Sequence, residues 1–278
     1  ASLSNVGYVE VLTVSATGRD VTSEFHLDSC LIHDLTNSTR EDGDNSNIRG
    51  LNTIEGKLFI KNNVFYNLEN VSTHGSSNIK ALSISGNSAQ TDDTFVYNNT
   101  IYNIKNSVSA GYAYGISETT TGGPVTIKNN YVGDVNSTNG TEAAYYSENA
   151  PTEAYNVSSD DTATGTGSVT GQTAYSTYFW NVTAGSEDLH LRAPSLTLWG
   201  TNGTDLDEDA NLPVTEDMDG ESRDASAPDI GADEYNAAYS PVAAVYYSVG
   251  TSTADLKVAA SVAISGGVAG FTAAQADN

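Results

Sequence analysis

Apolar and polar positions recur together in four segments of the chain, which superpose without gaps. The segments are LDSCLIHDL from Leu27, IKNNVFYNL from Ile60, VYNNTIYNI from Val96 and IKNNYVGDV from Ile127. Their starts lie 33, 36 and 31 residues apart. Three apolar columns result, and they read Leu27, Ile60, Val96, Ile127; Ile32, Phe65, Ile101, Val132; and Leu35, Leu68, Ile104, Val135. Recurrence at so regular an interval predicts a protein built from stacked structural repeats.

Each repeat also contains a second, shorter apolar segment. These segments are GLNTI from Gly50, ALSIS from Ala81, YGISE from Tyr114 and AAYYSE from Ala143. A repeat therefore holds at least two strands, which are rich in β-branched and aromatic residues and are separated by Gly, Asn and Ser turns. The apolar positions show neither heptads nor a sustained 3.6-residue period, which argues against helical repeats. The pattern predicts an all-β fold whose main body is a right-handed parallel β-helix.

Polar residues recur between the apolar columns. One column reads Asp34, Asn67, Asn103, Asp134, and an Asn pair recurs as Asn62-Asn63, Asn98-Asn99, Asn129-Asn130. Asparagine tolerates the left-handed backbone conformation that a tight corner needs, and its amide can hydrogen-bond to stacked neighbours. We therefore interpret these columns as turn ladders. The alternative is that some of these side chains contact a sugar or an ion.

The charge of the chain excludes several classes of partner. Lys and Arg number 11 against 35 Asp and Glu among 278 residues, which gives a formal net charge of -24. Nucleic acid, anionic lipid and acidic polysaccharide are poor partners for such a surface, whereas divalent cations are favoured.

Cys30 is the single cysteine, so we predict no intramolecular disulfide and expect a buried thiol. No run of 18 apolar residues predicts a membrane span, and the first residues do not resemble a signal peptide.

The C-terminal third of the chain carries a more specific pattern. DLHLRAPS (188–195) is followed by an acidic loop, by a DxDGxxR element from Asp217 to Arg223, and by PDIGADEY from Pro228 to Tyr235. This order resembles the C-terminal end of bacterial right-handed parallel β-helix repeat proteins, which are mostly secreted or on the cell surface. The resemblance covers roughly residues 20–235. One departure is APSLTLWG, which stands where the family has an SPAIDAG-like run.

These patterns predict two regions. Residues 1–235 form a parallel β-helix with a C-terminal cap, the coils occupying about residues 20–175 and the cap residues 176–235. After Tyr235 the composition shifts to Ala, Val, Ser and Gly, and VYYSV and VAISGGVAGFTA indicate two or more strands. Residues 236–278 are therefore a β-rich linker, the start of a further module or an assembly strand.

The sequence contains no catalytic constellation and no cofactor-binding motif that we would assign. The Gly-His-Gly and Arg-x-Lys elements of pectin-hydrolysing β-helices are missing, and His26, His33, His74 and His190 lie outside such a context. Lys61 and Lys128 occupy equivalent repeat positions and are expected to point to solvent. If the chain were an enzyme, the fold would suggest a polysaccharide lyase or a glycoside hydrolase.

The acidic loop DLDEDANLPVTE predicts a calcium site. Asp205, Asp207 and Asp209 alternate and Glu216 stands twelfth, which is a spacing similar to that of EF-hand ligands. Ala210 replaces the expected Gly, and Pro213 stiffens the ninth position. The candidate Ca²⁺ ligands are Asp205, Asp207, Asp209, Glu216, Asp217 and Asp219. The competing interpretation is a solvated acidic loop paired in part with Arg223.

Two functions follow from these observations. The first is an extracellular or cell-surface structural or adhesive protein, an acidic rod that assembles head to tail with copies of itself through its terminal strands. The second is a protein that binds or cleaves surface glycans along the groove of the β-helix. The aromatic residues that would stack on sugars are Tyr102, Tyr112, Tyr114, Tyr145 and Tyr146.

Overall fold

The computed structural model describes residues 2–4, 8–15, 24–38, 47–54, 56–71, 77–86, 92–107, 110–119, 122–241, 262–264 and 267–269. The chain divides into two compact units, Ala1–Glu234 and Tyr235–Asn278. Within the described residues, no helix has the length and apolar character needed to cross a membrane.

Residues 24–147 form a parallel β-solenoid of about three turns, which confirms the predicted fold class. Three parallel sheets run along it. Sheet A contains β1 (Ser2–Ser4), β4 (Leu31–Ser38), β7 (Val64–Asn70), β10 (Thr100–Asn106), β13 (Tyr131–Ser137) and β16 (Val157–Ser158). Sheet B contains β2 (Tyr8–Ser15), β5 (Asn47–Ile54), β8 (Ile79–Ser85), β11 (Ala113–Glu118) and β14 (Glu142–Ser147). Sheet C contains β3 (Glu24–Asp28), β6 (Lys57–Lys61), β9 (Thr94–Tyr97), β12 (Val125–Lys128) and β15 (Thr152–Ala154).

The three predicted apolar columns are the inner ladders of this solenoid. Leu27 pairs with Ile60, Ile60 with Val96 and Val96 with Ile127 along sheet C. The other two columns pair in the same way along sheet A. All twelve side chains belong to one buried core, so the repeat spacing alone identified the residues that face inward.

Each nine-residue repeat segment is two strands, because a sharp corner divides it between sheets C and A. Asn62, Asn98 and Asn129 lie at this corner with φ of 55°, 52° and 55°. Asparagine adopts this left-handed conformation more readily than most residues, which confirms the predicted turn role. A coil therefore has three strands, whereas the sequence indicated at least two.

The second residue of each Asn pair, together with Asn156 of the following coil, forms a ladder inside the solenoid, which we call the inner asparagine ladder (Asn63, Asn99, Asn130, Asn156). Asn63 Nδ2 donates to Asn99 Oδ1 at 2.9 Å, and Asn99 Nδ2 donates to Asn130 Oδ1 at 2.9 Å. Each Oδ1 also accepts the backbone amide of the preceding rung at 3.0 Å. Cys30 occupies the first rung, where its amide donates to Asn63 Oδ1. It is half-buried, so the expectation of a buried thiol is met only in part.

Small residues recur at one position of sheet B along the solenoid. Gly50, Ala81, Gly115 and Ala144 occupy equivalent positions just before the paired column Leu51, Leu82, Ile116, Tyr145. A Cβ built on Gly115 would lie 2.3 Å from Val132 Cγ1 and 2.7 Å from the Ala144 carbonyl oxygen. Glycine therefore lets sheet B approach sheet A closely here.

Residues 156–172 cover the C-terminal edge of the solenoid. Ala144 and Tyr145 lie on the last strand of sheet B, and their amides donate to Asp160 Oδ2 at 2.7 Å and Thr162 Oγ1 at 2.9 Å. Val157 and Val169 form a further parallel bridge. Side-chain oxygens thus accept hydrogen bonds from backbone amides that would otherwise be unpaired at the edge of the sheet.

Short elements follow the solenoid. They are α1 (Tyr175–Tyr178), β17 (Phe179–Asn181), β18 (Asp188–Leu191), α2 (Ala193–Leu196) and a 3-10 helix (Gly200–Asn202). In the second unit, β19 (Val262–Ile264) and β20 (Gly267–Ala269) pair antiparallel, within the predicted VAISGGVAGFTA segment. The predicted VYYSV strand lies outside the described residues.

Candidate functional site

Residues 175–234, which we call the side module, pack along the outer faces of sheets A and C. This segment is the one that the sequence analysis assigned to a cap. Trp199 is fully buried and stacks on Tyr131 of sheet A with ring centroids 4.8 Å apart. On sheet C, the acidic loop packs its apolar residues against outward aromatic rings in one cluster, which contains Phe59, Phe95, Tyr97, Leu206, Leu212 and Val214.

The corner residues Asn62, Asn98 and Asn129, which we call the outer asparagine column, hold the side module through their amides. Asn129 Nδ2 donates to the Thr204 carbonyl at 2.8 Å, and its Oδ1 accepts the Thr204 amide at 3.0 Å. Asn62 Nδ2 donates to the Glu216 carbonyl at 2.9 Å. Asn98 Nδ2 reaches the carbonyls of Asp229 and Gly231, both at 3.3 Å.

Arg223 of the DxDGxxR element is the buried anchor of this contact. Its guanidinium donates to the carbonyls of Gly231 at 2.9 Å and Ala232 at 3.0 Å, and to Asn62 Oδ1 at 3.1 Å. Glu234 Oε2 lies 3.4 Å away as the ion-pair partner. The Arg223 side chain is only 4% exposed, so the motif serves to dock the side module on the solenoid.

Within the described residues, no three of the six predicted calcium ligands bring their ligand atoms within 4.8 Å of one another, although Asp205 Oδ1 accepts the Asp207 amide at 3.0 Å. Asp209 Oδ2 lies 3.5 Å from Lys128 Nζ, which makes that lysine an ion-pair partner of the loop. Asp217 is buried, and its Oδ1 accepts two backbone amides while its Oδ2 accepts the Glu234 amide at 2.9 Å. Glu216 contributes its backbone carbonyl to Asn62. A calcium site in this loop stays a prediction, and these contacts show that several of its carboxylates have protein partners.

Three side chains, one of which is the predicted calcium ligand Asp219, come together at one edge of the side module. Among the described residues, His190, Asp219 and Asp233 form the one group of three or more potential metal-ligating side chains whose ligand atoms all lie within 4.8 Å of one another. His190 Nε2 lies 2.7 Å from Asp219 Oδ2, and His190 Nδ1 lies 2.6 Å from Asp188 Oδ1. We call these four residues the His190 cluster.

The electrostatics of the His190 cluster are strongly perturbed. Burial alone would lower the pKa of His190, but hydrogen bonds to Asp188 and Asp219 raise it to about 10. Burial raises the pKa of Asp233 to about 8. The imidazole is therefore held as a cation between carboxylates, and Asp233 lies in surroundings that disfavour its negative charge.

Sequence reasoning missed this cluster because its members are distant in the chain and were assigned to other roles. Asp219 was placed in the calcium loop and His190 was set aside. A signal was present, since Asp188 and His190 alternate on a strand that precedes two Asp-rich elements. Only the packing of β18 against the two later segments reveals the grouping.

Comparison of the chain with protein-family models, with curated proteins and with solved structures gives no match.

The predicted sugar-stacking tyrosines divide into two groups. Tyr112, Tyr114 and Tyr146 form a row associated with sheet B, with ring centroids 4.5 Å and 4.3 Å apart, and Lys80 Nζ lies 5.5 Å above the Tyr112 ring. Tyr145 is buried in the core, where its hydroxyl donates to the Asn130 carbonyl at 2.8 Å. Tyr102 is buried against rings of the side module.

Proposed function

We propose that this chain is a structural or adhesive component of an extracellular or cell-surface protein. The observation that carries the proposal is the inner asparagine ladder, because it joins successive coils by buried side-chain bonds in addition to the strand pairing. A solenoid bonded in this way is a stiff body suited to presenting surfaces. The resemblance to bacterial β-helix surface proteins and the strongly acidic composition support the same function.

Assembly through terminal strands is the second part of the proposal. Among the described residues, β2 pairs with β5 alone and β3 with β6 alone, so the first coil has an edge without a described strand partner. Val11 on β2 is 49% exposed, and Leu31 is 57% exposed on the following strand β4, which in the described part of the chain pairs with β1 only at Thr36–Ser38. Because residues 156–172 cover the other end, the proposed partner of the first coil is the 236–278 segment of a second copy.

Mass photometry across a concentration series tests the assembly. We expect ladders of oligomers for the native chain and monomers for Val11→Lys and Leu31→Lys, because a lysine on a strand edge opposes pairing. Leu198→Lys is the matched control, since Leu198 is also 49% exposed but lies in the side module. A native chain that stays monomeric, or a control that dissociates as fully as the edge variants, would contradict assembly through the first coil.

Carbohydrate binding is the second candidate function, and the tyrosine row favours it. Tyr112 and Tyr146 at its ends are partly exposed, and the Tyr146 hydroxyl donates to Glu148 at 3.0 Å. Aromatic rings beside polar groups are typical of sugar-binding surfaces. A panel of neutral glycans should bind the native chain and the control Tyr239→Ala, whereas Tyr146→Ala should lose binding. Equal binding by both variants would exclude the row as the glycan surface.

A further inference from the structure

The His190 cluster joins three segments of the side module that are remote in sequence. His190 comes from β18, Asp219 from the turn of the DxDGxxR element and Asp233 from the PDIGADEY segment. The Leu191 amide donates to Asp233 Oδ2 at 2.6 Å, which fixes the last segment against the strand. The three ligand atoms thus belong to parts of the chain that are positioned by separate backbone contacts.

Carboxylates crowd this site. Asp188 and Asp219 both contact His190, and Asp233 lies beside them, whereas Arg223 is engaged with Glu234 and backbone carbonyls. Asp233 is only 5% exposed, and its Oδ2 accepts the Leu191 amide. A buried carboxylate beside further carboxylates is stabilised by a cation bound between them.

We propose that His190, Asp219 and Asp233 bind a divalent transition-metal ion of the zinc class, with Asp188 holding the imidazole. One imidazole nitrogen and two carboxylates form a donor set that suits Zn²⁺ and Co²⁺, whereas Ca²⁺ takes six to eight oxygen ligands. In metal sites, a ligating histidine usually donates its other ring N–H to a carboxylate, which is the place that Asp188 occupies here. Asp188 is therefore a positioning residue.

Binding at this site would stabilise the side module, because an ion that binds only the folded form shifts unfolding to higher denaturant. The effect can be followed specifically. Trp180 and Trp199 are the only tryptophans of the chain, and both lie in the side module. Tryptophan fluorescence thus reports the region that the ion would hold together.

Isothermal titration of the chelator-treated chain with Zn²⁺, and separately with Co²⁺, tests the site. We expect one site per chain, a loss of at least about tenfold in affinity for Asp219→Asn and His190→Gln, and a smaller loss for Asp188→Asn. Asp219 is 48% exposed at its side chain, so Asp219→Asn should fold normally. His33→Gln is the matched control, because His33 Nδ1 also contacts a carboxylate, Asp34, 2.8 Å away, but on the solenoid.

Three outcomes would overturn the proposal. They are no binding of Zn²⁺ or Co²⁺ by the native chain, equal binding by Asp219→Asn and His33→Gln, and displacement of Zn²⁺ by excess Ca²⁺. A second readout is the tryptophan-detected unfolding transition, which Zn²⁺ should move to higher urea in the native chain and in His33→Gln but not in Asp219→Asn. Neither measurement depends on the oligomeric state, so failure of this site and failure of the proposed assembly are distinguishable.

Discussion

The two asparagine columns show how one residue type at neighbouring positions can serve two kinds of contact. The inner asparagine ladder bonds each coil to the next, and its partners are its own equivalents in the repeat. The outer asparagine column bonds to the side module, and its Nδ2 groups donate to the backbone carbonyls of Thr204, Glu216, Asp229 and Gly231. Periodicity therefore specifies the solenoid, whereas docking of the side module depends on contacts that have no period.

The solenoid and the side module can be followed by different spectroscopic signals, so their stabilities can be measured separately. Both tryptophans lie in the side module, so fluorescence follows that region. Far-UV circular dichroism is dominated by the strands of the solenoid, since sheets A, B and C hold most of the described strands. Variants of the inner asparagine ladder should therefore shift the circular dichroism transition more, and variants of the outer asparagine column should shift the fluorescence transition more.

Arg223→Met should have the largest effect, and it should appear mainly in fluorescence. The variant removes the buried cation beside Glu234, which keeps two backbone amide donors, and one donor from each of the Gly231 and Ala232 carbonyls, which we expect to cost about 3–5 kcal/mol. The measurement is urea unfolding followed by both signals. Arg192→Met is the control, because Arg192 lies over the exposed ring of Trp180 and donates to Ser176 at the surface. Equal shifts of both signals would mean that the two regions unfold as one.

Asn99→Ala should give the second-largest loss of stability, and the loss should appear mainly in the circular dichroism transition. Asn99 is fully buried, and its amide donates to the Ile60 and Tyr97 carbonyls and to Asn130 Oδ1. Removing its side chain takes the acceptor from the Asn63 backbone amide and one donor from each of the Ile60, Tyr97 and Asn130 oxygens, at a cost of about 2–4 kcal/mol. An effect below about 1 kcal/mol would show that the stacked strands do not need the ladder.

The ladder was predictable from sequence, and the docking was not. The repeated Asn pairs and three apolar columns identified the corner, its left-handed residue and the inward side chains of residues such as Ile60 and Phe65. The predicted count stayed at a minimum of two strands per repeat, because a two-residue corner does not divide the apolar positions on its two sides into distinct segments. The acceptors on the side module are mostly backbone carbonyls, which every residue carries, and no pattern of side chains marks them.

Asn98→Gly isolates the outer column with a smaller expected effect. Glycine accepts the φ of 52° at this position, so the variant removes the bonds to Asp229 and Gly231 without adding backbone strain. We expect a loss of about 1 kcal/mol in the tryptophan transition and little change in circular dichroism. If the circular dichroism transition shifts by as much as it does in Asn99→Ala, the proposed difference in role between the two asparagine columns would be wrong.

Lys80 gives an effect no larger than that of Asn98→Gly, and it lies on strand β8 of the solenoid. It pairs with Arg49 and Tyr114 across sheet B and is 8% exposed. Burial, together with the charge of Arg49 and against that of Glu148, lowers its pKa from 10.5 to about 8. Between these two pH values the unfolded chain binds more protons than the folded chain, so stability should rise with pH.

The comparison of the native chain with Lys80→Met tests this dependence, since the tyrosines Tyr112 and Tyr114 beside Lys80 remain in both. From pH 8 to 9.5 the circular dichroism transition of the native chain should gain about 1 kcal/mol relative to the variant, a value reduced for partial solvation. The tryptophan transition should show the smaller difference, because the affected charge lies on sheet B. The opposite result is a native chain whose free energy of unfolding falls relative to that of Lys80→Met over this range. It would mean that Lys80 is charged in the folded chain and that its charge stabilises the sheet. In that case the row beside it would be a hydrated surface instead of a packed one.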